Sequence, residues 1–463
     1  MRLVLRGVTV VDPRTGKSLK NKDVLVEGSR IAAVGAKGSQ QADRVVDATG
    51  QWVVPGFVDM HAHPMEHKDP AGSLALMLAH GITGFRQMSG NDALLKDGAL
   101  PADAPAMLAR PGDLLTPFTA DTPDRAAATV RHQHALGADF IKNGLTTGPS
   151  FFAAQAEANR LGIPILGHLP GKADVEQVTG NGMRSVEHLG GGLGLLACCS
   201  SQRTRVETML AGARDISVPK PLQPLLSPIF TKVLLPKLVL NPTAMMKQAD
   251  VDAYDLAVRS FDDDAALAVA AQLKADGTWQ VPTLIRSTAM QLCDDPSWEQ
   301  DPDLRYIDPR ALKAWRGAAA KAGKKPAATR ETLRLTNAVM LRLVKLLDDS
   351  GVRMLAGSDA CGAAWVVPGA SLHDELDLLG QAGLSPLRVL QLATCDAAEF
   401  LGNDTIGAVE EGKAADLVLL GADPLASVAH LHAITGVVRA GRHLGGAALQ
   451  AVKDKVAADR SAA

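Results

Sequence analysis

His61 and His63, separated by Ala62, close the apolar run Trp52-Val53-Val54-Pro55-Gly56-Phe57-Val58. If that run is a strand, its side chains alternate between faces, so the two imidazoles point the same way and Ala62 points away. Two imidazoles side by side at a strand end can hold one metal ion. A His-X-His pair also arises by chance, and the plain alternative is two partly exposed histidines. Four later segments change that balance. Lys142 follows Gly137-Ala138-Asp139-Phe140-Ile141, His168 follows Ile163-Pro164-Ile165-Leu166-Gly167, and His188 follows Arg184-Ser185-Val186-Glu187. Asp359 ends Arg353-Met354-Leu355-Ala356-Gly357-Ser358. Any one of these is an ordinary strand-end residue, and Lys142 alone reads as a lysine snorkelling past a rim. Donors recurring at the same end of successive strands point to a metal centre.

The elements that must carry them are legible from texture. Candidate strands are residues 53–61, 82–88, 105–109, 138–144, 163–168, 184–188, 278–285 and 353–359, with amphipathic helices expected over 123–136, 150–161 and 172–181. Eight strand–helix units favour an α/β fold of the (β/α)8 TIM-barrel type over a doubly wound sheet. Both chain ends read instead as short strands and turns. The expected organisation is residues 1–54 and 403–463 as the two parts of a small β-sandwich domain, and 55–402 as the barrel. Long insertions at 189–277 and 286–350 emerge where active sites sit, as walls or a lid, or else as packing or oligomer surfaces. The first holds Pro219, Pro221 and Pro224 and a helix near 255–276; the second holds a helix near 327–349. Residues 452–463 read as a frayed terminal helix.

Composition narrows the partners. Hydrophobic residues make up 46% and charged residues 21%, with a formal net charge of −2. There is no basic surplus for nucleic acid or anionic lipid, and no run reaches a membrane span. The N-terminus alternates like a strand and has no signal-peptide core, so a cytoplasmic address is expected by default. Cys198, Cys199, Cys293, Cys361 and Cys395 have no paired zinc spacing and read as reduced, buried thiols.

Pro55-Gly56-Phe57-Val58-Asp59-Met60-His61-Ala62-His63 resembles the opening signature of the amidohydrolase superfamily. The segment Gly407 to Val418 resembles its closing signature, and Leu384 to Thr394 is similar to its last barrel helix. Gly167-His168-Leu169-Pro170 and Val186-Glu187-His188-Leu189 most resemble the prolidase-like (Xaa-Pro dipeptidase-related) members. The resemblance implies two divalent metals, zinc first and manganese or cobalt next. His61, His63 and Asp359 would hold one, His168 and His188 the other, and Lys142, carbamylated by carbon dioxide, both. It implies hydrolysis of a C–N amide bond in a dipeptide, N-acyl amino acid or related small molecule, by attack of a metal-bridging hydroxide with Asp359 as the base. A deaminase or cyclic-amide hydrolase of the same superfamily is the alternative; deaminases add a catalytic glutamate after strand 5, and none follows His168. Glu187 is expected to face away from His188 in a structural role. Substrate contacts are sought in Arg286, His373 and Tyr254, and a homo-oligomer is compatible with the chain.

Overall fold

The computed structural model describes residues 2–171, 174–211, 226, 233–360 and 362–462. Cys361 and the stretch around Pro219, Pro221 and Pro224 lie outside the described residues. Among the described residues fifteen strands follow one another: β1 (Arg2–Asp12), β2 (Lys17–Glu27), β3 (Arg30–Ala36), β4 (Arg44–Asp47) and β5 (Trp52–Pro55); β6 (Phe57–Ala62), β7 (Ile82–Gln87), β8 (Ala106–Ala109), β9 (Ile141–Asn143), β10 (Ile165–Gly167), β11 (Ser185–Glu187) and β12 (Trp279–Val281); and β13 (Leu417–Leu420), β14 (Ile434–Arg439) and β15 (Arg442–Gly445).

Both chain ends build one eight-stranded sheet, ordered β15-β14-β13-β5-β1-β2-β3, with β4 beside β1. Leu417 of β13 pairs with Pro55 of β5 and Leu420 with Trp52, so the closing strands brace the strand that leads directly into β6. Alternating residues of both ends, among them Leu5, Val24, Val53, Leu417 and Val438, share one apolar core. The other seven strands are parallel members of a TIM barrel, in two runs, β6-β7-β8 and β9-β10-β11-β12.

The seams between those runs are irregular, and both carry site residues. The expected eighth strand, 353–359, is not a continuous strand. It forms single bridges, Met354 to Gln280 and Ala360 to Ala62, supported by Met60 N–H donating to Ala356 O at 2.9 Å and Asp359 N–H donating to His61 O at 2.7 Å. Small residues let it nest so closely that a Cβ at Gly357 would lie 2.6 Å from the His61 Cβ, and Asp359 turns out of the ladder at φ +50°. At the other seam Leu115 bridges Asn143, its N–H donating to Lys142 O at 3.0 Å.

Helices are set by local chemistry. Thr122 caps Pro123–Ala135 by accepting from the Arg125 N–H. The helix Ala327–Asp349 buries Leu333, Met340, Leu343, Val344 and Leu347 along one face. Three expectations are corrected. Residues 255–276 are two helices, Gln248–Arg259 and Asp263–Ala275, because Asp262 accepts from the Ala265 N–H and starts a new one. The strand expected over 278–285 stops at Val281, and a helix, Leu284–Gln291, begins after Thr283. The terminal helix Gly446–Ser461 is docked, burying Leu449 and Val456, with Arg460 3.3 Å from Asp69. Among the described residues no helix is long and apolar enough to cross a membrane, and Cys198, Cys199 and Cys293 are buried free thiols.

Candidate metal centre

The donors at the strand ends converge. One ligand atom each from His61, His63 and Asp359 lies within 4.8 Å of the others. Asp359 Oδ1 is 3.3 Å from His61 Nε2 and 3.1 Å from His63 Nε2, and Oδ2 is 3.8 Å from His188 Nε2. The His188 ring centroid is 4.5 Å from that of His61 and 5.0 Å from that of His168. Lys142 is buried in the middle of β9, close enough for its charge to act on His61, His168 and His188.

Each imidazole is oriented by what holds its other nitrogen. Nδ1–H of His61 donates to Glu187 Oε2 at 2.6 Å, that of His63 to Ser89 Oγ at 2.5 Å, and that of His168 to Gly144 O at 2.8 Å. His188 donates to Thr283 Oγ1, whose own hydroxyl donates to Pro282 O at 2.7 Å. With Nδ1 engaged as a donor, the rings of His61, His168 and His188 keep Nε2 for the site, the nitrogen that would ligate metal. Burial pushes His168 down to about 3, helped by the Lys142 charge, and burial also lowers His61 and His188. Burial opposes charge on His63 too, but Asp359 and Glu66 raise it to about 9, so it keeps a proton until a metal displaces it. Asp359 stays well below the usual carboxylate range despite its burial, held there by His188 and His61.

The backbone bends to achieve this. His188, Thr283 and Asp359 all sit at positive φ, +57°, +45° and +50°, conformations that cost a non-glycine residue about 1–3 kcal/mol each and cluster at functional sites. Gly167 has a different role: a Cβ there would lie 2.2 Å from Asn143 O. Only glycine lets β10 approach β9 closely enough to set His168 beside Lys142.

Beneath the donors lies a charged layer that strand patterning did not reveal. Glu187, completely buried, takes the Arg86 guanidinium at 2.9 and 3.1 Å, the Ser185 hydroxyl at 2.6 Å and the His61 ring. Burial opposes its ionisation, yet Arg86 and His61 keep it well below the normal carboxylate range. Its carboxylate is directed at His61 and Arg86. Arg86 also donates to Met60 O at 2.7 Å and lies over Phe140 and Phe400. The available signal was an arginine inside the otherwise uncharged strand Ile82–Gln87. Glu187→Ala is expected to cost about 3–5 kcal/mol of stability by stranding Arg86 in the interior. It should also weaken metal uptake about 10–100-fold through His61. An unchanged melting temperature and metal content would remove Glu187 from this role.

The three expected substrate contacts separate. Arg286 is buried at the centre, its Nε 3.4 Å from Asp359 Oδ2, its Nη2 donating to Val239 O at 2.5 Å and its Nη1 without a hydrogen-bond partner among the described residues. Tyr254 borders it through a glycine loop: a Cβ on Gly192 would lie 3.9 Å from the Tyr254 hydroxyl, and one on Gly191 3.6 Å from the His168 ring. His373 does not join them. Its Nε2–H donates to His80 O at 2.8 Å and its ring packs 5.6 Å from Phe57, at the opening end of β6. That end is four residues, roughly 13 Å of strand, from His61. His373 instead lines a cavity of about 260 Å³ with His80, His432 and Lys453.

A family model described as the amidohydrolase family matches residues 328–444. A dihydroorotase of Pelotomaculum thermopropionicum is 46% identical over 66 residues, covering 14% of this chain and 15% of that protein, so the match spans far less than two thirds of the relative. Bottromycin amidohydrolase superposes with a TM-score of 0.70 at 25% identity, over 99% of this chain and 90% of that one. A Xaa-Pro dipeptidase with bound methionine in its active site superposes with a TM-score of 0.61 at 15% identity, over 96% and 100% of the two chains, a likeness of fold. The fold match along the whole chain and the family match over residues 328–444, a stretch that contains Asp359, agree on the amidohydrolase superfamily as what this chain is similar to.

Proposed function

We propose that this chain is a prolidase-like, two-metal hydrolase of C–N amide bonds in dipeptides, N-acyl amino acids or related small amides. The observation that carries the reading is the grouping of His61, His63 and Asp359 within 4.8 Å, with the His188 ring beside those of His61 and His168 and the buried Lys142 close enough for its charge to act on three of the histidines. That set fits two divalent ions, zinc first: His61, His63 and Asp359 for one, His168 and His188 for the other, and Lys142 as a carbamate for both. Carbamylation turns the amine into a carboxylate, which suits a position among neutral imidazoles. Bound ions would supply Lewis acidity and a water acidified into the neutral range.

The chain's own residues supply the rest. Asp359 accepts the proton of the attacking water at one carboxylate oxygen and delivers it to the leaving nitrogen. Arg286, whose Nη1 has no hydrogen-bond partner among the described residues, holds the free carboxylate of the substrate as a charge-assisted pair. Tyr254, beside the Gly191–Gly192 loop, is placed for the acyl portion.

Arg286→Met is expected to raise KM for substrates with a free carboxylate about thirtyfold, the equivalent of about 2 kcal/mol, and to leave their amidated analogues nearly unaffected. Equal effects on both would place the carboxylate elsewhere. The reading as a whole is tested by metal analysis followed by a screen of dipeptides, N-acyl amino acids, cyclic amides, esters and nucleobases. Two equivalents of metal and turnover of dipeptides or N-acyl amino acids is the expected result. Ammonia released from a nucleobase, with no activity on those amides, would replace it with a deaminase.

A further inference from the structure

The helix Leu284–Gln291 carries Arg286, and its N-terminal residue, Thr283, holds His188. Yet the helix has no cap of its own. A helix start leaves backbone N–H groups unpaired, and a threonine at the N-cap ordinarily accepts one of them with its hydroxyl. Thr283 does not, because its hydroxyl is committed to the His188 ring and to Pro282 O. Its φ of +45° also departs from the extended conformation of an N-cap. The missing acceptor comes from a remote helix, Ala370–Gln381: Glu375, completely buried, accepts the Ile285 N–H through Oε2 at 2.8 Å. Among the described residues its other oxygen has no hydrogen-bond partner.

We propose that Glu375 is a positioning residue of the metal centre. By capping Leu284–Gln291 from outside, it frees the Thr283 hydroxyl to orient His188 and holds Arg286 against Asp359. A carboxylate is a costly group to bury, and here it accepts from the backbone of Leu284 and Ile285, the start of the segment that supports two site residues. The oxygen is needed as an acceptor at that reach, not as a charge. Burial pushes the Glu375 carboxyl up to about 8, which agrees with a group working as a neutral acceptor.

The inference rests on the metal-site reading above, and the test separates the two. Zn²⁺ affinity is measured by chelator competition on the full chain and on its Glu375→Gln, Glu375→Asp and Glu375→Ala variants, with melting temperatures in parallel. Gln keeps the reach and the acceptor, so its affinity should stay within about threefold of the unaltered chain. Asp keeps the charge but is one methylene short, so it should lose affinity about tenfold or more, as loss of an outer-shell support does. If the Ala variant fails to fold, the Gln–Asp comparison decides. Thr283→Val combined with Glu375→Asp should be no weaker than Thr283→Val alone, because both act through one contact. Equal affinities for the Asp and Gln variants, a Gln variant weaker than the Asp variant, or additive losses in the double variant would overturn the assignment. No Zn²⁺ uptake by the unaltered chain would instead defeat the metal-site reading.

Discussion

Lys142→Met is expected to lose most bound metal and all but about one hundredth of the activity, or less. The reasoning is geometric. Lys142 is buried where its charge reaches histidines of both proposed metal positions, His61 on one side and His168 and His188 on the other. Methionine preserves volume and an unbranched stem, so β9 and its pairing with β10 should survive. What it removes is the nitrogen that carbon dioxide modifies. Lewis-acid stabilisation is worth several kcal/mol, and each 1.36 kcal/mol is a factor of ten, which sets the expected loss at about a hundredfold or more. Metal content is the readout that separates this reading from simple unfolding, together with a melting temperature near that of the unaltered chain. A companion measurement is the rate of metal uptake by stripped protein, which should rise with bicarbonate in the unaltered chain and not in the variant. Full two-metal occupancy with normal turnover in Lys142→Met would end the carbamate proposal.

Asp359→Asn should lower turnover about a thousandfold with a much smaller change in KM, as expected for a general acid–base group that also ligates metal. The substitution is clean for a structural reason. Asp359 stands at φ +50°, a region that asparagine tolerates nearly as well as aspartate, so the backbone turn out of the eighth strand is retained. Its size and its place among His61, His63, His188 and Arg286 are retained too. Lost are the negative charge and the ability to accept and return a proton. An unchanged turnover number would take Asp359 out of the base role and leave it as a ligand at most.

Some of this was legible along the chain, and some could not be. The period-two texture of the ends, the strand–helix alternation of the middle and the donors at strand ends are all local patterns. Each depends on residues one to four apart, and that is the range over which strand alternation and helical periodicity act. Segment 353–359 was legible as a strand through Met354-Leu355-Ala356 but not in its irregular closure, because Gly357 adapts to the His61 backbone rather than to its own neighbours. His373 shows the limit from the other side. Its place after the last barrel segment suggested the metal end of the barrel, whereas packing against Phe57 and His80 O puts it at the opposite end.

What the sequence by itself determined is the kind of protein this is: a barrel whose strand ends carry histidines, a lysine and an aspartate, with both chain ends joined in a separate sheet. Only the tertiary structure decided how those donors are aimed. The groups that fix the ring tautomers, Glu187 for His61 and Thr283 for His188, lie 126 and 95 residues away in the chain. Ser358, which donates to the buried Asp59 two residues before His61, is 299 residues distant. No local period relates residues so far apart. They meet because a closed parallel barrel sets every strand end on one ring, so the aim of each imidazole depends on its neighbours in space.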